Sequence, residues 1–382
     1  MTLSNSDIVE LIDFRHALHR RPELSGEEKE TARAIVAFLT PTKPDRLITG
    51  LGGHGVAAVY ESAAPGPTVL FRSELDALPI FELGEVSYRS EVAGKGHLCG
   101  HDGHSTILTG LARLVARQRP ARGRVVLLFQ PAEENGTGAA AVIADPKFAA
   151  IKPDWSFALH NMPGVPFGHV ALDDGPVNCA SRGLRIVLTG KTSHASVPEA
   201  GVSPAVALSR LIPGLTALGP GGALEKGFRL ATITHARMGE PAFGITPGEA
   251  ELWVTLRAMT DEDMAALLDG AMALAETEAN AAELKLALSH HDIFAGCVND
   301  CQATAELRTA LDAEGIGHDR GILPCRGSED FGLFGGVSKS AMFFLGAGEN
   351  HPMCHNPDFD FPDALIAPGV RVFNRVLRNL LG

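Results

Sequence analysis

The chain has 382 residues, of which 45% are hydrophobic and 20% are charged, and its formal net charge is -12. This length exceeds the roughly 250–300 residues that one hydrophobic core usually supports, so we expect two cores. A bilayer span needs about 20 consecutive apolar residues, which the sequence lacks. The excess of acidic residues and the lack of a Lys/Arg-rich stripe argue against a nucleic-acid partner.

The N-terminal residues and the cysteines both bear on the compartment. The first 25 residues contain acidic side chains where a secretory signal would have a basic segment and an apolar stretch. The six cysteines form no CxxC pair and are spread along a long chain, unlike a disulfide framework. The sequence therefore predicts a soluble cytoplasmic protein with reduced thiols.

Predicted elements in the first part of the chain alternate between helices and buried strands. Apolar residues at helical spacing over residues 7–40, interrupted at Arg21-Pro22, predict two helices. Ser105–Arg117 has an apolar face typical of a crossover helix. Short continuous apolar runs predict strands covered on both faces, as in a largely parallel sheet, at residues 55–60, 68–71, 125–129, 155–159 and 341–345.

The middle of the chain has a different pattern. Half-buried strands at residues 184–188, 231–236, 252–256 and 284–288 alternate with helices at 203–218 and 261–283. The order strand, helix, strand, strand, helix, strand is that of a ferredoxin-like unit. We therefore predict an α/β protein whose mixed, largely parallel sheet is flanked by helices. Residues 1–178 and 290–382 would form this discontinuous catalytic domain, and residues 179–289 an inserted α+β domain.

Polar residues follow each predicted strand of the catalytic domain. In open α/β sheets, ligands bind beyond the carboxyl ends of the strands, so these residues would converge at one edge. The converging stretches are Arg72–Asp76, Gln130–Glu134, His160, the loop with His351 and His355, and Cys99–His104 before the crossover helix. Each stretch is weak evidence by itself, but their convergence predicts a metal centre.

The residue types at this edge suit a particular class of metal. Thiolate, imidazole and carboxylate together favour Zn, Mn, Co or Ni over Mg or Ca. About five ligands exceed what one tetrahedral ion takes, so two ions are the natural number. Of the adjacent carboxylates Glu133 and Glu134, one can bind metal while the other takes a proton from water.

These residues resemble the hippurate hydrolase and indole-acetyl-amino-acid hydrolase group, within the aminoacylase and zinc carboxypeptidase clan. The similarity spans nearly the whole chain in ordered blocks. These blocks are Leu18–Ser25, Leu75–Ile80, Cys99–His104, Phe129–Glu134, Ser193–Ala195, Glu329–Phe331 and His355–Pro357.

The resemblance implies a role for each matching residue. Asp76 would orient the metal centre, and Glu133 would be the general base that later protonates the leaving amine. His194 would help to hold the scissile carbonyl, often across a dimer, and Arg257 would bind a substrate carboxylate, unless it only forms an exposed salt bridge. The implied metal ligands are Cys99, His101, Glu134, His160 and His355.

Two positions depart from the family pattern. Glu74 replaces the usual aspartate two positions before Asp76, which leaves the ligand set unchanged. Gly244 stands where an asparagine is common, so the acyl or amino-acid preference is expected to differ. Other residues near the predicted centre could support it from outside the ligand set, namely His97, His104, His351 and Glu329.

The expected activity is hydrolysis of the amide bond of N-acyl amino acids, such as N-acetyl or N-benzoyl compounds, by water that two divalent metal ions activate. A homodimer formed through the inserted domain, which would also serve as a lid, is the family expectation. The alternatives are a dipeptidase or carboxypeptidase-like metallopeptidase, a cysteine hydrolase that uses Cys99 with His101 or His104, and a catalytically idle metal-binding module.

Overall fold

The computed structural model describes residues 2–382, which divide into two compact units. The first unit comprises the residues up to Val177 together with Val298–Leu323 and Asp330–Gly382. The second unit comprises Asn178–Cys297 and Pro324–Glu329. Each unit has a hydrophobic core of its own.

The helices and strands are numbered in chain order. The helices are α1 (Asn5–His19), α2 (Lys29–Leu39), α3 (His101–Arg117), α4 (Gly138–Ala144), α5 (Ala205–Leu218), α6 (Asp261–Ala281), α7 (Cys301–Glu314) and α8 (Ile366–Leu381). The strands are β1 (Arg46–Leu51), β2 (Gly55–Glu61), β3 (Thr68–Glu74), β4 (Arg124–Gln130), β5 (Trp155–Pro163), β6 (Val170–Ala171), β7 (Gly175–Asn178), β8 (Ala180–Thr189), β9 (Ser193–His194), β10 (Arg229–Met238), β11 (Ile245–Thr246), β12 (Glu249–Ala258), β13 (Lys285–Phe294), β14 (Cys297–Asn299), β15 (His318–Asp319) and β16 (Lys339–Gly348).

The first unit is built on an eight-stranded sheet in the order β1-β2-β4-β3-β5-β16-β6-β15. Its centre is parallel, because β3 pairs in parallel with β4 and β5, and β5 pairs in parallel with β16. Phe71, Phe129, Phe157 and Phe343 are buried in its core, as expected for strands covered on both faces. The carboxyl ends of four neighbouring strands therefore meet at one edge.

The second unit contains an antiparallel sheet in the order β10-β12-β8-β13. Leu184, Ile186 and Leu188 alternate along β8 on its buried face and pack with α5 and α6 in the core. At the start of α6 the Thr260 hydroxyl accepts a hydrogen bond from the Asp263 amide at 3.1 Å, which caps the helix. This arrangement is the ferredoxin-like one.

The predicted fold class is confirmed, with differences at the ends of elements. Helix α3 begins at His101 rather than Ser105. Polar residues of its first turn are buried, so this turn lacks the apolar spacing from which a helix is predicted. Strand β5 continues past His160, and β13 runs to Phe294, beyond the boundary expected at residue 289. Each helix in residues 2–382 is too short or too polar to span a bilayer.

Candidate metal centre

The side chains at the parallel edge of the first unit lie close together. Three groups each place their potential ligand atoms within 4.8 Å of one another. They are Cys99, His101 and His160; Cys99, Glu134 and His355; and His101, Glu133 and Glu134. Because the groups share members, the structure brings together all five predicted metal ligands and the predicted base.

The turn at Gly100 directs Cys99 and His101 to the same place. Gly100 has φ 96°, in the left-handed region that favours glycine. A Cβ atom at Gly100 would lie 2.0 Å from Asn161 Oδ1, so a larger residue also lacks space. His101 then becomes the first residue of α3, where the helix holds its backbone.

Hydrogen bonds orient the imidazoles of His101, which is buried, and of His160, which is half-buried. His101 Nδ1 lies 3.0 Å from the Asp76 carbonyl oxygen and 3.2 Å from Asp76 Oδ1. His160 Nδ1 lies 2.7 Å from the Asn161 carbonyl oxygen. A carbonyl can only accept, so each Nδ1 carries the hydrogen and each Nε2 has its lone pair available when the ring is neutral. This is the arrangement that orients a metal-binding histidine.

The Nε2 atom of His101 is buried and makes no hydrogen bond among residues 2–382. It lies 3.9 Å from Glu133 Oε2 and 3.8 Å from Glu134 Oε1, too far for a hydrogen bond. A buried polar atom without a partner costs free energy, and a divalent cation would be its partner here. The donor set of thiol, imidazole and carboxylate therefore fits Zn, Mn, Co or Ni.

The remaining ligand candidates face each other. Cys99 Sγ lies 3.3 Å from His160 Nε2, and His355 Nε2 lies 3.5 Å from Glu134 Oε2. His355 has φ 69°, an uncommon conformation for a non-glycine residue that is typical of functional sites. The Glu134 amide donates to Asp76 Oδ2 at 2.9 Å, so Asp76 bonds to two ligand candidates at once.

The protonation states follow from these contacts. A hydrogen bond with Cys354, together with burial, raises the pKa of the Cys99 thiol well above its usual value. Burial lowers the pKa of His160 to about 3. Burial also opposes the charge on His101, but its hydrogen bond with Asp76 and the nearby charge of Glu74 raise the pKa of His101 to about 10. Metal binding would therefore release protons from Cys99 and His101.

The loop that carries Glu133 follows β4 and is tightly constrained. Ala132 has φ 52°, which costs a non-glycine residue about 1–3 kcal/mol. A Cβ atom on Gly138 would lie 1.7 Å from the Pro131 carbonyl oxygen, so the start of α4 packs directly on this loop. Glu133 is 6% exposed. Its carboxylate is thus held at the edge of the sheet among the candidate ligands.

Two of the other predicted neighbours, His104 and His351, have definite hydrogen-bond partners. His104 Nδ1 lies 2.7 Å from Glu74 Oε2 and its Nε2 lies 2.7 Å from Asn161 Oδ1, so both nitrogens are occupied and His104 is not available as a ligand. Glu74 also pairs with Arg72. His351 Nε2 lies 2.7 Å from the Asp360 carbonyl oxygen. His97 is buried and makes no side-chain hydrogen bond among residues 2–382.

In the second unit, His194 is exposed at β9, and β11 pairs with it. The Ser196 amide donates to His194 Nδ1 at 3.1 Å, so the ring hydrogen lies on Nε2.

Arg257 donates through Nη1 to the Arg326 carbonyl at 2.9 Å and the Ser328 hydroxyl at 2.8 Å, rather than to a carboxylate. A Cβ atom on Gly244 would meet no atom within 4 Å, so the backbone there leaves room for a larger side chain.

Sequence reasoning missed three residues around the centre. Glu28, Asn161 and Cys354 contact Ala132, His104 and Cys99 respectively. Cys354 directly precedes the ligand candidate His355 in the sequence, and Glu28 resembles an ordinary acidic residue at a helix start. None of the three has a local sequence signal, because their partners are distant along the chain.

Comparison with known proteins agrees with this geometry. The chain is 29% identical to the hippurate hydrolase of Campylobacter jejuni, with 96% of each chain covered. It is 28% identical to N-acetylcysteine deacetylase of Bacillus subtilis, over 95% of this chain and 94% of the relative. The crystal structure of Bacillus subtilis YXEP protein, described as a dinuclear metal binding peptidase from the M20 family, matches with a TM-score of 0.84 at 25% identity, over 99% of both chains. The profile of Peptidase family M20/M25/M40 matches residues 70–379, so the chain belongs to this family of hydrolases, as its sequence motifs implied.

Proposed function

We propose that the protein hydrolyses the amide bond of N-acyl amino acids with the help of two divalent metal ions. The observation that carries this proposal is the cluster of Cys99, His101, Glu134, His160 and His355, with the Glu133 carboxylate grouped with His101 and Glu134. Relatives named as a hippurate hydrolase and an N-acetylcysteine deacetylase, similar over nearly their full lengths, support this substrate class.

In this proposal the five side chains hold the ions, and Glu133 moves the proton. Bound divalent ions would polarise the scissile carbonyl and lower the pKa of water. Glu133 takes a proton from the attacking water as the oxygen–carbon bond forms. It then delivers that proton to the amide nitrogen as the carbon–nitrogen bond breaks, which yields a carboxylate and a free amino acid.

The second unit would supply substrate contacts. His194 would donate from Nε2 to the oxygen of the scissile carbonyl, which the hydrogen bond from Ser196 supports by placing the ring hydrogen on that atom. Arg257 would bind the substrate carboxylate. Action of the second unit as a lid, a homodimer formed through it, and a cytoplasmic location belong to the same proposal.

A cysteine hydrolase is the second candidate, because Cys99 Sγ lies within hydrogen-bond distance of His160 Nε2. Nucleophilic cysteines need a lowered pKa, however, and the surroundings of Cys99 raise it. Chelation separates the two candidates. A thiol enzyme keeps its activity without metal, whereas the proposed enzyme loses it and regains it with Zn, Mn, Co or Ni.

The deciding experiment assays metal-loaded protein against N-acetyl, N-benzoyl and N-indoleacetyl amino acids, with dipeptides to detect a metallopeptidase. Glu133→Gln should lower kcat by at least about 100-fold and retain both metals by mass spectrometry. Glu276→Gln, an exposed position on α6, is the matched control and should behave as wild type. Unchanged kcat in Glu133→Gln would overturn the mechanism.

A further inference from the structure

Glu28 stands at the N-terminal cap of α2 but does not cap this helix with its side chain. The residue is fully buried. Its Oε1 atom accepts hydrogen bonds from the amides of Gly26 and Ala132, both at 2.8 Å. Acidic residues at helix starts usually serve the free amides of their own helix. Glu28 instead bonds to a loop 104 residues away in the sequence.

Glu28 binds Ala132, the residue directly before Glu133, whose backbone is in the left-handed conformation. Ala132 has φ 52°. Its amide donates to Glu28, and its carbonyl accepts from the Gly138 amide at 2.9 Å. Both peptide groups of Ala132 are therefore held by hydrogen bonds. Since alanine avoids this conformation, removal of one bond would let the backbone relax and turn the next side chain.

A second contact from the same segment holds the other side of Glu133. The Ser25 hydroxyl donates to Asp76 Oδ2 at 2.7 Å, and the same oxygen accepts from the Glu134 amide at 2.9 Å. Residues 25–28 thus bond directly to the amide of Ala132, which precedes Glu133. They hold the amide of Glu134, which follows it, through Asp76. The backbone of Glu133 lies between these two hydrogen-bonded amides.

We propose that Glu28 is a positioning residue that holds Ala132 in its left-handed conformation and so aims the Glu133 carboxylate. The inference rests on the proposed role of Glu133 in proton transfer. Glu28 belongs to none of the groups of potential ligands around the centre. It acts through the backbone, so its loss should lower kcat more than it changes KM or metal content.

Two conservative variants separate this role from a structural one. Glu28→Gln keeps an oxygen at the position of Oε1, and its amide nitrogen replaces Oε2, which accepts no hydrogen bond among residues 2–382. Glu28→Asp keeps the carboxylate and is a better helix cap, but it is too short to reach Ala132. We expect kcat near wild type for Glu28→Gln and a loss on the order of 100-fold for Glu28→Asp, because small misplacements of a catalytic group have such effects.

Hydrogen–deuterium exchange of the 131–138 segment gives a readout that does not need activity. The Ala132 amide should stay protected in Glu28→Gln and exchange faster in Glu28→Asp, with both variants binding two metals. Ala132→Gly added to Glu28→Asp should recover part of kcat, since glycine adopts the left-handed conformation readily.

Wild-type kcat and wild-type protection in Glu28→Asp would overturn the inference, as would equal loss in both Glu28 variants. The Glu133→Gln measurement keeps the two proposals apart. If Glu133→Gln is fully active, the proposed function fails. If Glu133→Gln is inactive while Glu28→Asp is fully active, only the positioning role fails.

Discussion

The carboxylate of Asp76 joins His101 to Glu134. Its Oδ1 lies 3.2 Å from His101 Nδ1, and its Oδ2 accepts from the Glu134 amide at 2.9 Å. Asp76 is fully buried, so these hydrogen bonds are made away from water. One side chain that binds no metal in our proposal therefore orients two proposed ligands.

Asp76→Asn should weaken metal binding about 10–100-fold, because residues that orient metal ligands have effects of this size. An asparagine side chain has one acceptor oxygen, so it cannot replace both carboxylate oxygens in the hydrogen bonds with His101 and the Glu134 amide. Competition with a coloured chelator measures the affinity. Asp269→Asn, at an exposed position on α6, is the control and should match wild type. Wild-type affinity in Asp76→Asn would show that its orienting role is dispensable.

Gly100→Ala should abolish binding of at least one metal ion. The added Cβ would lie 2.0 Å from Asn161 Oδ1, and the backbone has φ 96°, so Cys99 and His101 would both move. Gly94→Ala is a matched control, because Gly94 also has positive φ, at 76°, but a Cβ there meets no atom within 4 Å. Metal content by mass spectrometry should distinguish the two variants, and equal metal content would contradict the steric argument.

Stability should depend on pH through His19, which is fully buried. Its Nδ1 lies 2.8 Å from Asp102 Oδ2 and its Nε2 lies 3.2 Å from Glu82 Oε1. Burial opposes the charged ring, but the charge of Asp102 and both hydrogen bonds raise the pKa of His19 from 6.5 to about 9. A group whose pKa is higher in the folded than in the unfolded protein stabilises the fold fully at pH values below its unfolded-state pKa. This stabilisation disappears as the pH rises through its folded-state pKa.

The free energy of unfolding should therefore fall between pH 6.5 and about 9 in the wild type, and this part of the fall should be absent in His19→Gln. Urea unfolding at several pH values, with metal-free and metal-loaded protein, measures the difference. If the free energy of unfolding of wild type and of His19→Gln had the same pH dependence, His19 would not be charged in the folded state.

His194→Ala should lower kcat about 100–1000-fold, the usual effect of removing one donor to the developing oxyanion. Metal content should not change, because His194 belongs to none of the ligand groups found in residues 2–382. His290→Ala provides the control, as His290 is another exposed histidine of the second unit. Turnover at the wild-type level in His194→Ala would refute the proposed contact with the carbonyl.

The convergence of polar side chains at one edge of the sheet could be predicted from sequence because it depends on a topological rule. Parallel strands place their carboxyl ends at one edge, so the residues after β3, β4 and β16 had to converge. The beginning of α3 was less predictable. Its first turn contains buried polar residues, which hide the apolar spacing that marks a helix.

The sequence by itself determined the fold class and the side chains that could converge on a metal centre, since hydrophobic periodicity and strand ends are local features. The family followed from the resemblance of its motifs. The tertiary structure alone decided which nitrogen of His101 and His160 faces the centre, that both nitrogens of His104 are occupied, and that Glu28 reaches Ala132 rather than its own helix. These outcomes depend on hydrogen bonds between residues far apart in the chain and on a backbone angle at Ala132 that alanine rarely adopts. No short stretch of sequence contains either kind of information.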